Sequence, residues 1–220
     1  MAETTVRMIC FDAGGVLVRI CRSWQERCER AGIPFRWDSE VAADSEDRRA
    51  VHAEFERGRM SPEAYFKALA ASTDGLYTSE ELHAIHLAWI AEEYPGVRAL
   101  VRALREVPTV STGLLSNTNA VHWMTPSMTG DRASAVSGID HPHASHMLGL
   151  TKPGAEIYRA FERETGFDGP AILFFDDLPE NVDAARAAGW TAERIDHTGD
   201  TAAQVVGHLA AYGVRLQPLS

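Results

Sequence analysis

The chain has little cysteine, no surplus of positive charge and no long apolar run. Three cysteines occur in 220 residues, Cys10, Cys21 and Cys28. They form neither a disulfide framework nor a metal-binding spacing, which points to a reducing compartment. Lys and Arg total 21 against 31 Asp and Glu, a net charge of −10. That balance argues against a nucleic-acid partner, which needs a concentrated basic face. A small anionic substrate stays open, because it needs only a local positive pocket. No apolar stretch is long enough to span a bilayer. The opening Met-Ala-Glu-Thr-Thr lacks the basic start of a signal peptide. These absences predict a cytoplasmic protein without membrane or nucleic-acid partners. Internal repeats and low-complexity tracts are also missing. What remains, 45% hydrophobic and 24% charged residues, is ordinary globular composition. The length suits one core, or one core with a small accessory unit.

Strand and helix signals begin together, separate, and then resume. An apolar run over Val6–Phe11 reads as a buried strand. Between Arg22 and Tyr94 the pattern is helical only. Ser61-Pro62 is a helix start, and Thr78-Ser79-Glu80-Glu81 fits a capping box, followed by Leu82, Ile85 and Trp89 on one face. After Pro95 the alternation is regular. Val97, Leu100, Val101 and Leu104 mark a helix, Gly113–Leu115 a strand, and Ile157 and Phe161 a further helix. Ala171–Phe175 reads as a strand, Pro179–Ala188 as a helix, Thr191–Ile195 as a strand and Thr201–Ala211 as a helix. This predicts an α/β fold with a Rossmann-like parallel sheet, helices on both faces and an inserted helical cap. The core is expected over residues 1–18 and 95–220, the cap over 19–94.

In such sheets ligands bind beyond the carboxyl ends of the strands. Three apolar runs end there in polar clusters: Asp12, Ser116-Asn117 and Asp176-Asp177. Lys152, just before Pro153, can reach the same edge. Each cluster alone also suits an ordinary turn; all four in this order point to a site.

Phe11-Asp12-Ala13-Gly14-Gly15-Val16, Leu114-Leu115-Ser116-Asn117, Gly149-Leu150-Thr151-Lys152-Pro153 and Phe175-Asp176-Asp177-Leu178-Pro179-Glu180-Asn181 resemble the four motifs of the haloacid dehalogenase-like hydrolases. The similarity runs from about Arg7 to Ala192. It is nearest in pattern to the capped sugar phosphatases related to bacterial α-glucose-1-phosphatase and to the phosphatase domain of soluble epoxide hydrolases. The resemblance implies Mg²⁺-dependent hydrolysis of a small phosphorylated metabolite, with Asp12 as nucleophile forming an aspartyl-phosphate. Asp12, Asp177 and the Gly14 carbonyl are implied as metal ligands, with Asp176 as ligand or water-holder. Lys152 is implied to neutralise charge at the reacting centre. Ser116 and Asn117 are implied to donate hydrogen bonds to the phosphoryl oxygens, and Asn181 to orient the acids.

Gly14 departs from the pattern, since many phosphatases of this superfamily carry an acid there. General acid–base help is worth about 10²–10⁴-fold. One reading favours acidic leaving groups, hence a sugar 1-phosphate over a 6-phosphate. Another is a phosphometabolite-binding protein with little turnover. A metal-free 2-haloacid dehalogenase is a further alternative, weakened by the Asp176-Asp177 pair. The run His141-Pro142-His143-Ala144-Ser145-His146 reads as a solvated loop rather than a metal site. Cys10 reads as strand filling, and Trp24 and Phe55 as cap core.

Overall fold

The computed structural model describes residues 6–37 and 45–217. Residues 1–5, the segment read above for the absence of a signal, lie outside the described residues. Five strands, β1 (Met8–Phe11), β4 (Ser111–Ser116), β5 (His141–Ala144), β6 (Ile172–Asp176) and β7 (Thr191–Arg194), form one parallel sheet in the order β5-β4-β1-β6-β7. The first strand is thus central, with β4 and β6 on either side. Its near-continuous apolar text follows from that place, because both faces are covered.

Successive residues serve opposite faces. Ile9, Phe11, Leu173 and Phe175 enter one hydrophobic cluster with α5 (Val97–Arg105) and α10 (Thr201–Ala211). Met8, Cys10, Ile172 and Phe174 enter a second with α8 (Ala155–Thr165) and α9 (Pro179–Ala187). Cys10 is fully buried, and burial pushes its thiol well above its ordinary range. It is filling, as read from the sequence.

A third cluster gathers Cys28, Trp37, Phe55, Tyr65, Phe66, Leu69, Leu82 and Ile85. It is built by α1 (Trp24–Ala31), α2 (Glu46–Glu56), α3 (Pro62–Ala71) and α4 (Ser79–Leu87). Ser61 caps α3 ahead of Pro62, and Thr78 and Glu81 form both halves of a capping box on α4.

Two local expectations are corrected. The Arg22–Tyr94 stretch is not helical only, because β3 (Ile90–Glu93) pairs antiparallel with β2 (Val18–Ile20). The chain enters and leaves the inserted helices through these two strands, which form a small sheet of their own, and pairing satisfies both backbones. Its text, Ile-Ala-Glu-Glu, carries no strand signature. The histidine run is likewise not a loop: β5 is the edge strand beside β4, where Pro142 leaves no ladder hydrogen bond missing from the interior. His143 packs its ring against Phe161 at 5.1 Å. The short α6 (Ala120–Trp123) and α7 (Ser145–Leu148) follow β4 and β5.

Candidate active site

The strand register sets the site. Phe11 pairs with Leu114 on one side and Phe175 on the other. The residues that follow, Asp12, Ser116 and Asp176-Asp177, therefore emerge together at the carboxyl edge of three adjacent strands. Asp12 stays tied to the sheet through its N–H, which donates to the Phe175 carbonyl at 2.8 Å.

Lysine is scarce here, with Lys67 and Lys152 the only two in the chain, and Lys152 is buried in the site. Its Nζ lies 2.6 Å from Asp176 Oδ2 and 3.1 Å from Asp12 Oδ1. Burial alone would lower its pKa, but the two carboxylates outweigh burial and keep the ammonium protonated above its ordinary range. Asp12 moves the other way. Burial pushes its carboxyl well above the usual range against the pull of Lys152, and the charges of Asp176 and Asp177 add to the rise.

Asp176 is fully engaged. Both of its oxygens accept from the Asn181 amide at 3.1 Å, and Oδ1 also accepts from the Leu178 N–H at 2.9 Å. Asn181, on the first turn of α9, thus bears on one acid of the pair. Asp177 faces a different partner: Arg22 Nη2 lies 2.9 Å from its Oδ2, with His197 Nδ1 at 3.5 Å. Burial raises the Asp177 pKa, and Arg22 opposes the rise. The glycine pair of the first motif acquires a physical reason here. Gly15 has φ +79, and a Cβ on it would lie 2.4 Å from the Asp177 carboxyl. Only glycine lets the turn after Asp12 pass this close to the second acid.

Ser116 is buried beside Asp12, and its hydroxyl favours the charged form of that carboxyl. Asn117 is placed differently from a simple phosphate donor. Its amide nitrogen donates to the Lys152 carbonyl at 2.9 Å, and its oxygen accepts from the Lys152 N–H at 2.8 Å. This two-point clasp pins the lysine loop to the end of β4. Thr118 escaped notice in the sequence, yet its buried hydroxyl has no hydrogen-bond partner and its residue lines the same cavity.

That cavity has a volume of about 210 Å³. Asp12, Gly14, Ser116, Asn117, Asp177 and Asn181 line it together with the unforeseen Arg22, Thr118, Glu56 and Trp89. It adjoins a larger cavity of about 580 Å³ among the inserted helices, which shares Arg22 and Trp89. Nothing in the text marked Arg22 or Glu56, since each is brought to the site by the packing of a distant helix.

The residues fit a hard divalent cation. Asp12, Asp176 and Asp177 each offer an oxygen within 4.8 Å of the others. They are the one such group of His, Cys, Asp and Glu among the described residues. An all-oxygen set at this spacing suits Mg²⁺. A guanidinium already sits against Asp177, so the geometry places a positive charge there.

The model of the haloacid dehalogenase-like hydrolases matches residues 6–189. The chain belongs to the haloacid dehalogenase-like hydrolases. Within the family, it is 26% identical over 199 residues to the D-ribitol-5-phosphate phosphatase of Bacteroides thetaiotaomicron, covering 89% of this chain and 94% of that one. It is 30% identical over 143 residues to Phosphatase MT3486 of Mycobacterium tuberculosis, covering 64% of each. This match spans under two thirds of that relative. In fold, it is similar to a haloacid dehalogenase-family enzyme of B. thetaiotaomicron crystallised with magnesium and inorganic phosphate. The TM-score is 0.74 at 21% identity, over 89% of this chain and 96% of that one. Among the described residues of this hydrolase, no helix is long and apolar enough to cross a membrane.

Proposed function

We propose that this hydrolase is a Mg²⁺-dependent phosphatase acting on a small phosphate monoester, a sugar or sugar-alcohol phosphate, through an aspartyl-phosphate on Asp12. The observation that carries the reading is the buried Lys152 ammonium held between Asp12 and Asp176, beside the acid group that can take a metal. The phosphatase names of two relatives support it.

Asp12 is the nucleophile. Lys152 offsets the charge that accumulates between Asp12 and a phosphate dianion, and the Asn117 clasp fixes where that lysine stands. Thr118 offers its hydroxyl to a phosphoryl oxygen. Asn181 holds Asp176, and Asp176 in turn orients Lys152. Asp12, Asp177 and the Gly14 carbonyl would hold Mg²⁺, with Asp176 behind them; when bound, the ion screens nucleophile and substrate from each other. The division into a core (residues 1–18 and 95–220) and a cap (19–94) belongs to the same reading, because the cap helices close a second cavity over the first. Three free, buried cysteines suit a cytoplasmic location.

The binding-protein alternative rests on Gly14. A metal-free dehalogenase fits less well, since the second carboxylate of the Asp176-Asp177 pair would repel an anionic haloacid. Phosphate release from paired sugar 1-phosphates, 6-phosphates, ribitol 5-phosphate and p-nitrophenyl phosphate tests the reading, with Mg²⁺ or EDTA, for wild type and Asp12→Asn. Mg²⁺-dependent release that disappears in the variant is expected. Binding of Mg²⁺ and phosphate without release from any ester would favour the binding protein.

A further inference from the structure

On the phosphatase reading above, an alcohol leaving oxygen needs a proton that Gly14 cannot give. A side chain at position 14 would have to displace Ile20 slightly. A Cβ there would lie 3.3 Å from Cδ1 of Ile20, which lines the same cavity. An aliphatic group thus stands beside position 14. We propose that the proton comes from the cap instead, from Glu56 backed by His52.

The other polar groups lining the cavity are committed or unsuited. Asp12 is the nucleophile, and Asp177 pairs with Arg22 on the metal side. Arg22 is engaged with that carboxylate. His122 donates through Nε2 to the His86 carbonyl at 2.7 Å and meets the Asn119 amide through Nδ1 at 3.2 Å. Burial holds it neutral, with a pKa of about 3. The Ser116 and Thr118 hydroxyls are far too weakly acidic. Glu56 is the remaining carboxyl among the described lining residues.

Its setting supports proton transfer. Glu56 is the last residue of α2, and its carbonyl accepts from Ser145 Oγ at 2.7 Å. The same Oγ accepts from the Thr118 N–H at 2.9 Å, so the helix end is moored to the loop that carries Ser116. Gly58 follows two residues on, and a Cβ on it would lie 2.3 Å from the His146 carbonyl oxygen. Cap and core backbones approach closely at this corner. One turn earlier on α2, His52 Nε2 lies 3.4 Å from Glu56 Oε1, and its Nδ1 is 3.0 Å from the Tyr65 hydroxyl. The His52 ring stacks on Trp89 at 5.1 Å, and Trp89 lines both cavities. Glu56 lines the smaller cavity and His52 the larger one, so the pair stands at their junction.

The step balances. As the bond from Asp12 to phosphorus forms and the ester P–O bond breaks, the Glu56 carboxyl gives its proton to the leaving oxygen, yielding the alcohol. In the second half, the Glu56 carboxylate takes a proton from the attacking water. The oxygen–phosphorus bond forms, the Asp12–phosphorus bond breaks, and inorganic phosphate leaves with Glu56 reprotonated. His52, whose Nε2 is buried 3.4 Å from Glu56 Oε1 without a hydrogen bond of its own, is a positioning residue beside the carboxyl.

The test compares single-turnover release of leaving group from p-nitrophenyl phosphate and ribitol 5-phosphate, with Mg²⁺. Nitrophenolate departs without a proton, whereas a primary alcohol needs one. For Glu56→Gln we expect alcohol release to fall about 10²–10³-fold and nitrophenolate release by less than about tenfold. His52→Gln should give the same split with smaller loss, and it carries the test if Glu56→Gln does not fold. Equal losses for the two esters, or no loss for either, would overturn the assignment. Wild-type protein that releases phosphate from neither ester would overturn the phosphatase reading itself.

Discussion

Arg22 Nη2 lies 2.9 Å from Asp177 Oδ2, so a residue at the start of the inserted helices holds the last acid of the sheet edge. The arginine is 37% exposed and the aspartate 3%. The guanidinium can therefore swing away while the carboxylate stays in place. A divalent cation at Asp177 has to displace it. Arg22→Ala should bind Mg²⁺ more tightly, by about 3–10-fold in calorimetry without substrate, as removal of a competing charge predicts. Unchanged or weaker Mg²⁺ binding would mean that Arg22 helps to shape the metal site.

Asp12→Asn should eliminate turnover and stabilise the metal-free protein. Asp12 is held above its ordinary pKa by burial first and by Asp176 and Asp177 after that. The folded state therefore keeps a proton that the unfolded chain releases near pH 4, and this site works against folding as pH rises from there. Replacing the charge should raise stability by about 1–2 kcal/mol at pH 7.5, or about 2–8 °C in melting temperature. With saturating Mg²⁺ the advantage should shrink, because wild type gains the binding term. Melting curves with Mg²⁺ and with EDTA measure both.

Lys152→Met keeps the aliphatic volume but leaves Asp12 and Asp176 buried beside each other without their shared cation. Breaking a buried pair from one side costs about 3–5 kcal/mol. We expect a loss of that order in urea denaturation at pH 7.5, narrowing at pH 5 as Asp12 protonates. A loss under about 1 kcal/mol would mean that water reaches the carboxylates.

His86 of α4 and His122 of α6 stack at 3.8 Å, where the cap helices meet the core. Burial holds both below the ordinary imidazole range, His122 to about 3. The unfolded chain takes up their protons near pH 6.5, whereas the folded pair refuses them until much lower. Their contribution is complete above pH 6.5 and is lost as pH falls toward 3. The expected slope is about 1.4 kcal/mol per pH unit for each histidine across that window. His122→Asn should lower the slope by about one histidine's share; an unchanged slope between pH 6 and 4 would place the sensitivity elsewhere.

Much of the architecture could be read from the text. Met8–Phe11 and Ile172–Phe175 are apolar without interruption because their strands are covered on both faces. The capping box at Thr78 and Glu81 is local chemistry, and it forms as read. Asp12, Ser116 and Asp176 could be placed at one edge because parallel strands end on the same side. Three short strands could not be read, Val18–Ile20 among them. Ile90–Glu93 is defined by the partner it meets, and His141–Ala144 is a strand only because β4 offers an open edge. Pairing of this kind has no local signal in four residues.

The sequence by itself determined what lies close along the chain: the α/β alternation, the strand-end acids, the lysine before Pro153 and the helix caps. Each follows from backbone propensity, side-chain period and caps within a few residues. The tertiary structure alone decided which distant groups complete the cavity. Arg22 meets Asp177 across 155 positions, and the Glu56 carbonyl meets Ser145 across 89. It also decided that Asn117 grips the lysine loop, that Ile20 stands beside Gly14, and that Gly15 gives Asp177 room. These relations depend on how helices and loops pack around the sheet. Such packing is set by the shape of the whole core, which no short stretch of sequence contains.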